Sequence, residues 1–278
     1  QNVPVGGLTK DDFSAQLNTE STEVVSVEEI VNTEAPISVV LVLDSSESMI
    51  GTPLANTKIA ANVLLDNLRP GDEAALLDFD TTVRVAQDFT TDLNAVRTAI
   101  GKLEAGGKTA LFDAAHAGVE QAMKSNSPRR FVVLLTDGNE YGGLSKNSAA
   151  SGIDLAKENN IQFFVVGLGF NLNRIYLTQL GTDTRGQTYV LPSSDKLASI
   201  FDFVANYLRS QYIVTLAPKI EPDGSTNQLT LSARGAVLSR QPCGAMLHPC
   251  PARPTWRSAW PGWPSSGATS SLPRTIFT

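Results

Sequence analysis

Cysteine and histidine are nearly missing from this chain of 278 residues, which has two of each. Both cysteines, Cys243 and Cys250, lie near the C-terminus. A core without cysteine fits any redox compartment, so cysteine use does not place the protein. No apolar run approaches the ~20 residues that a membrane-spanning helix needs. The formal charge of −6 and pI near 5.0 come without a basic stripe, which argues against nucleic acid as the main partner. The N-terminus shows no charged segment followed by an apolar one, so a signal peptide is expected to be already absent. The length allows one domain of about 200 residues plus a smaller piece.

The most informative stretch is Asp44-Ser45-Ser46-Glu47-Ser48, because of what precedes it. Val39 to Leu43 is an unbroken apolar run rich in β-branched residues, which reads as a buried parallel strand. Where that strand ends, a carboxylate and two hydroxyls stand at alternate positions, Asp44, Ser46 and Ser48. Such a set offers only hard oxygen ligands, which suit Mg²⁺ or Ca²⁺ better than zinc or copper. The carboxyl end of a strand is also where open α/β sheets place their binding sites.

Strand and helix signals alternate from Ile37 to Tyr207. Strands are expected at 37–43, 73–79, 82–87, 130–136, 162–167 and 187–191, and helices at 54–69, 92–103, 110–124, 148–159 and 194–209, with a shorter one near 174–180. The 54–69 segment has Ala61, Leu64, Leu65 and Leu68 on one side and stops at Pro70-Gly71, a strong terminator. This alternation predicts an α/β fold, a doubly wound and mostly parallel six-stranded sheet with helices on both faces. The connection between 79 and 82 is too short for a crossover, so the 82–87 strand is expected to be an antiparallel edge.

Four segments follow along the chain: an N-terminal β-like flank at 1–35, the α/β domain at 36–209, a second β-like flank at 210–234 and a tail at 235–278. The flanks carry strand signals near 22–27, 211–216 and 228–232 and are expected to pair into a small β module. The tail holds Trp256, Trp260 and Trp263, both cysteines and many prolines, yet no Asp, Glu or Lys. It shows no period of 2 or 3.6 and is expected to be irregular, a disordered or non-native extension.

Two more stretches complete the oxygen cluster. A second buried strand ends in Thr136-Asp137-Gly138, and Gly106-Gly107-Lys108-Thr109 precedes a helix, with Thr109 expected at its N-cap. At the topological switch point of a doubly wound sheet, Asp44 and Asp137 should face one another across one crevice lined by Ser46, Ser48 and Thr109. Taken singly, each residue has a plain structural reading, as a cap, a turn or a loop start.

Together these motifs resemble the von Willebrand factor type A domain. The resemblance covers about residues 36–208 and rests on Asp44-x-Ser46-x-Ser48, Thr109 within Gly-Gly-Lys-Thr-Ala-Leu-Phe-Asp-Ala, and Asp137 within Leu-Leu-Thr-Asp-Gly. It implies a metal-ion-dependent adhesion site in which Ser46, Ser48 and Thr109 ligate Mg²⁺ (or Ca²⁺ or Mn²⁺) through hydroxyls, and Asp44 and Asp137 largely through water. It also implies the function: an open coordination position that captures a carboxylate from a partner protein, with no chemistry performed on it. One departure from the pattern is Glu47, where the family usually has glycine. Glu47 is either a solvated loop residue or a group that raises cation affinity and competes with an acidic ligand. The stretches Val5–Phe13 and Leu208–Tyr212 resemble the surroundings of this domain in bacterial secreted proteins, which implies an extracytoplasmic location.

Two other classes are weaker. A phosphotransferase using Asp44 as nucleophile wants a carboxylate two residues on, where Ser46 stands. Gly-x-Ser-x-Gly and the P-loop are missing, and Gly167-Leu168-Gly169 lacks the third glycine of a dinucleotide loop. With no histidine expected near a nucleophile, an enzyme such as a metal-dependent hydrolase is disfavoured. An adaptor domain for an ATPase or chaperone complex is disfavoured by the β-like flanks. His116 reads as a partly buried helix residue, Asp113 and Asp154 as structural or surface carboxylates, and Asp78 and Asp80 as turn residues rather than a second cation site.

Overall fold

The computed structural model describes residues 7–29, 36–209, 212–217, 226–233, 236–244 and 274–277. The chain separates into two compact units, one of Glu34–Asn206 and one of Gln1–Thr33 with Tyr207–Thr278.

In chain order the elements are β1 (Phe13–Leu17), β2 (Glu20–Glu29), β3 (Ile37–Asp44), α1 (Thr52–Asp66), β4 (Glu73–Phe79), β5 (Val83–Thr90), α2 (Leu93–Gly101), α3 (Leu111–Met123), β6 (Arg129–Thr136), α4 (Ala149–Glu158), β7 (Gln162–Leu168), α5 (Arg174–Asp183), β8 (Gln187–Leu191), α6 (Leu197–Arg209), β9 (Tyr212–Ala217), β10 (Thr226–Ala233), β11 (Ala236–Gly244) and β12 (Arg274–Phe277). The larger unit is built on a six-stranded sheet of order β5-β4-β3-β6-β7-β8. Every pairing in it is parallel except β4 with β5, which is the expected antiparallel edge.

All eight residues of β3 are buried, because helices cover both faces of the sheet. On one face Val40, Val42, Val132, Leu134, Phe163 and Val165 join Leu111, Ala115 and Val119 of α3, Ile153 and Ala156 of α4, and Leu177 and Leu180 of α5 in one apolar cluster. The alternate residues Val39, Leu41, Leu43, Val133 and Leu135 are also fully buried, as are Leu64 of α1 and Phe201 of α6. Each such side chain contributes roughly 1.5–3 kcal/mol by leaving water. The result is a rigid platform whose carboxyl edge carries the loops. Helix starts follow their caps: Asp92 accepts from the Asn94 N–H at α2, and Asn173 from the Tyr176 N–H at α5.

The smaller unit is an antiparallel sheet of order β11-β10-β1-β2-β9-β12. Phe13, Ala15, Leu17, Val214, Leu216, Leu229 and Leu231 form its core cluster. Both flanks contribute, through β1 and β2 on one side and β9 and β10 on the other. Beyond residue 235, where the pattern suggested irregular chain, β11 pairs with β10 and β12 with β9. The tryptophan-bearing stretch 245–273 lies outside the described residues.

Candidate metal centre

Parallel pairing of β3 with β6 puts Leu43 opposite Leu135, so both strands end side by side at the switch point. Asp44 is the last residue of β3 and is fully buried. Its Oδ1 accepts the Ser46 backbone N–H at 2.8 Å, and its Oδ2 accepts the Thr136 hydroxyl at 2.6 Å. Ser46 and Ser48 then turn back on the same side, with their hydroxyls 3.1 Å apart. Ser48 Oγ donates to Asp137 Oδ1 at 2.6 Å. Four of the five expected residues are thereby linked through hydrogen bonds across the end of the sheet.

Thr109 arrives differently from the expectation. The N-cap of α3 is Ala110, which makes no side-chain cap bond, so Thr109 stands one residue earlier. Its backbone is held instead: its carbonyl accepts the Tyr141 N–H at 3.0 Å, and the neighbouring Ala110 N–H donates to the Asp80 carbonyl at 2.8 Å. The hydroxyl lies against Gly138, where a Cβ would sit only 3.2 Å from Thr109 Oγ1. Thr109 is therefore not the cap of α3, and its buried hydroxyl sits beside the Asp137-Gly138 turn. The loop in front of it requires glycine at 107, whose φ is +76° and whose Cβ would lie 2.7 Å from Thr81 Oγ1. The Gly106 N–H donates to the Ser45 carbonyl and the Glu47 N–H to the Gly107 carbonyl, which ties this loop to the Asp44–Ser48 turn.

Burial pushes the Asp44 carboxyl up to about 6, against the lowering bonds from Ser46 and Thr136, and the nearby Asp137 charge adds to the rise. Burial raises the Asp137 carboxyl as well, with the Ser48 bond opposing it. Among the described residues no ion pair reaches either carboxylate. Nor does any group of three His, Cys, Asp or Glu side chains among them stand so that it could hold a metal ion. The donors here are two carboxylates and three hydroxyls, so the cluster fits a hard divalent cation and not a thiophilic or imidazole-seeking one.

Sequence reasoning missed the supporting residues. Thr136 orients Asp44, and the only signal for it was its place as the hydroxyl that ends the unbroken apolar run of β6. Fully buried Ser45 donates its N–H to the Phe79 carbonyl at 2.8 Å, locking the loop to β4. Glu47 is largely exposed and lies 3.6 Å from Lys108 Nζ, which in turn sits 5.1 Å from the Tyr141 ring centre. Asp78 and Asp80 both bind Arg84, at 2.5 and 2.9 Å, which accounts for them without a cation.

A histidine does lie near a hydroxyl, contrary to expectation: packing of α3 on α4 brings His116 Nδ1 to 2.8 Å from Ser151 Oγ. The other ring nitrogen is 3.6 Å from Glu120. His116 stands in the second turn of α3 and Ser151 in the first turn of α4, and no hydrogen bond among the described residues joins either to the oxygen cluster. Asp113 accepts the Lys146 and Asn147 N–H groups and is structural, and Asp154 is exposed.

Residues 38–203 match the von Willebrand factor type A domain. An uncharacterised protein of Synechocystis is 27% identical over 220 residues, covering 73% of this chain and 52% of that protein. A human inter-alpha-trypsin inhibitor heavy chain is 28% identical over 223 residues, covering 74% of this chain and 24% of that one. The chain thus spans about half of the first relative and about a quarter of the second. Among solved structures, a von Willebrand factor type A protein from Catenulispora acidiphila superposes with a TM-score of 0.61 at 18% identity, over 83% of this chain and 72% of that one. Proximal thread matrix protein 1 of the mussel byssus, with a zinc-occupied metal-ion-dependent adhesion site, gives 0.53 at 20% identity, over 69% and 50%. At such identities the two structures speak for the fold alone.

Proposed function

Because this chain belongs to the von Willebrand factor type A domain family, we propose that it holds one divalent cation on Asp44, Ser46, Ser48, Thr109 and Asp137 and uses it to capture an acidic side chain of a partner protein. The observation that carries this reading is fully buried Asp44, close to the charge of a second carboxylate, Asp137, with no cationic side chain among the described residues paired to either. A bound cation supplies the missing positive charge and a coordination position for an incoming carboxylate. The chain's own residues do the rest. Thr136 and the Ser46 N–H fix both oxygens of Asp44, and Ser48 aligns Asp137. Three of the five donors are neutral hydroxyls, so they leave much of a cation's charge available to a partner.

The all-oxygen donor set favours Mg²⁺, with Ca²⁺ and Mn²⁺ next. The zinc held by the mussel protein adds zinc to the series worth titrating. This reading is one of binding without chemistry, at an extracytoplasmic address, by a chain in which no described helix is long and apolar enough to cross a membrane.

Calorimetric titration of Mg²⁺ into wild type and Asp137→Ala tests the reading. Asp137 is only half-buried, so the variant should keep its far-ultraviolet spectrum. Its Mg²⁺ affinity should fall at least about tenfold, or roughly 1.4 kcal/mol. Equal affinities would refute the assignment.

A further inference from the structure

Seven large apolar side chains are exposed among the described residues of the α/β unit, and four of them, including the two most exposed, gather at one edge. Ile50, Tyr141, Phe170 and Ile175 are 61%, 55%, 80% and 75% exposed, and each belongs to a loop or helix start at the carboxyl edge of the sheet. Ile59, Val85 and Met123 instead lie singly on α1, β5 and the end of α3. Single exposed apolar residues need no explanation, but a group around one site does. Specific bonds tie these residues to the cluster. Ile50 follows Ser48 by two positions, and its N–H donates to the Glu47 carbonyl. Tyr141 donates its N–H to the Thr109 carbonyl. Phe170 precedes Asn171, which accepts from Asn139 at 3.1 Å, and Asn139 is two residues from Asp137. Ile175 precedes Tyr176, whose ring meets Phe112 edge-on at 4.8 Å, three residues from Thr109.

We infer that these four side chains give the site a preference for a carboxylate flanked by large apolar residues, so that the partner segment is an acidic residue set between leucine- or phenylalanine-like neighbours. This rests on the cation-capture reading and narrows it. Carboxylate capture alone supplies charge attraction that any acidic surface shares. Burial of apolar neighbours on Phe170 and Ile175 adds a second, non-electrostatic contribution that distinguishes one acidic segment from another. Glu47 works in the same direction, since its carboxylate repels a segment with several consecutive acidic residues.

The test uses the full chain and three labelled eight-residue peptides, each with one central Glu. In the first the Glu is flanked by Leu and Phe, in the second by Ser, and in the third by Asp. Binding is followed by fluorescence anisotropy at saturating Mg²⁺ and again after chelation. The apolar-flanked peptide should bind at least tenfold more tightly than the other two, and only with Mg²⁺ present. In Phe170→Ser and Ile175→Ser that advantage should shrink to threefold or less while calorimetric Mg²⁺ affinity stays unchanged. Mg²⁺-dependent binding of equal strength for all three peptides would overturn the inference and leave cation capture standing. Mg²⁺ binding with no peptide bound would also overturn it, and absence of Mg²⁺ binding would take the underlying reading with it. Concentration-dependent dimerisation abolished by Phe170→Ser would overturn it in favour of a second copy of this chain as the occupant.

Discussion

Glu47 shows how one side chain can matter for binding and little for stability. Its carboxylate and Lys108 Nζ are 3.6 Å apart, and both side chains are about half or more exposed. A pair of this kind is worth roughly 0–1 kcal/mol. Its position between Ser46 and Ser48 is another matter, because a charge there acts on whatever the hydroxyls hold. Glu47→Gly is expected to weaken Mg²⁺ binding and to strengthen capture of an acidic peptide at saturating Mg²⁺. The thermal midpoint should move by no more than the ~2–4 °C that 1 kcal/mol produces in a domain of this size. Glu47→Gln separates lost charge from added backbone freedom. Should neither affinity move in either variant, Lys108 already cancels the Glu47 charge and the residue is only a solvated neighbour.

At the scale of elements, the loop after Asp137 is held by two carboxylates rather than by packing. Glu140 accepts from Phe112 N–H at 3.2 Å and from Ser145 N–H at 2.8 Å. Asp113, at the start of α3, accepts Lys146 N–H at 3.0 Å and Asn147 N–H at 2.8 Å. Burial alone would raise the Asp113 carboxyl, but the Asn147 and Lys146 donors outweigh it and hold the group below its ordinary value. The folded value lies below the unfolded value near 3.9, so the contribution is complete above that pH. It is lost as pH falls through the folded value. Asp113→Asn should therefore destabilise the protein by about 1–2 kcal/mol at pH 7, the scale of a charge-assisted bond discounted for partial exposure. Thermal melts should show the gap between wild type and variant closing as pH falls from the unfolded carboxylate value through the lower folded one. A gap independent of pH would mean that shape, and not charge, sets the role of Asp113.

The whole molecule divides into an α/β unit and an antiparallel β unit, and only the first carries the candidate site. We propose that 36–209 is an autonomous domain, with the flanks 1–35 and 210–234 as a separate module. The α/β unit has its own buried core on both sheet faces, which is the condition for folding alone. Residues 36–209 expressed by themselves should unfold in one cooperative transition and bind Mg²⁺ within about threefold of the full chain, a difference under 0.7 kcal/mol. A broad transition or an insoluble product would show that the flanks complete its fold.

The sequence by itself determined the α/β unit and pointed to the residues proposed for its site, because both are written in short-range pattern. An apolar run as short and as rich in β-branched residues as Val39–Leu43 reads as a strand covered on both faces, and a carboxylate or hydroxyl just past such a strand falls at the sheet's carboxyl edge. Tertiary structure decided what depends on pairing between distant segments. It moved Thr109 off the helix cap and set its hydroxyl against Gly138, since the Tyr141 and Asp80 backbone contacts govern where that loop enters α3. It gave Asp78 and Asp80 to Arg84, brought Ser151 to His116 through helix packing, and placed Thr136 against Asp44. It also turned residues 236–244 into a strand, because a segment with no period of its own can still complete a ladder whose partner, β10, is already in place. Such bonds join residues as much as 92 positions apart, and no local period encodes them.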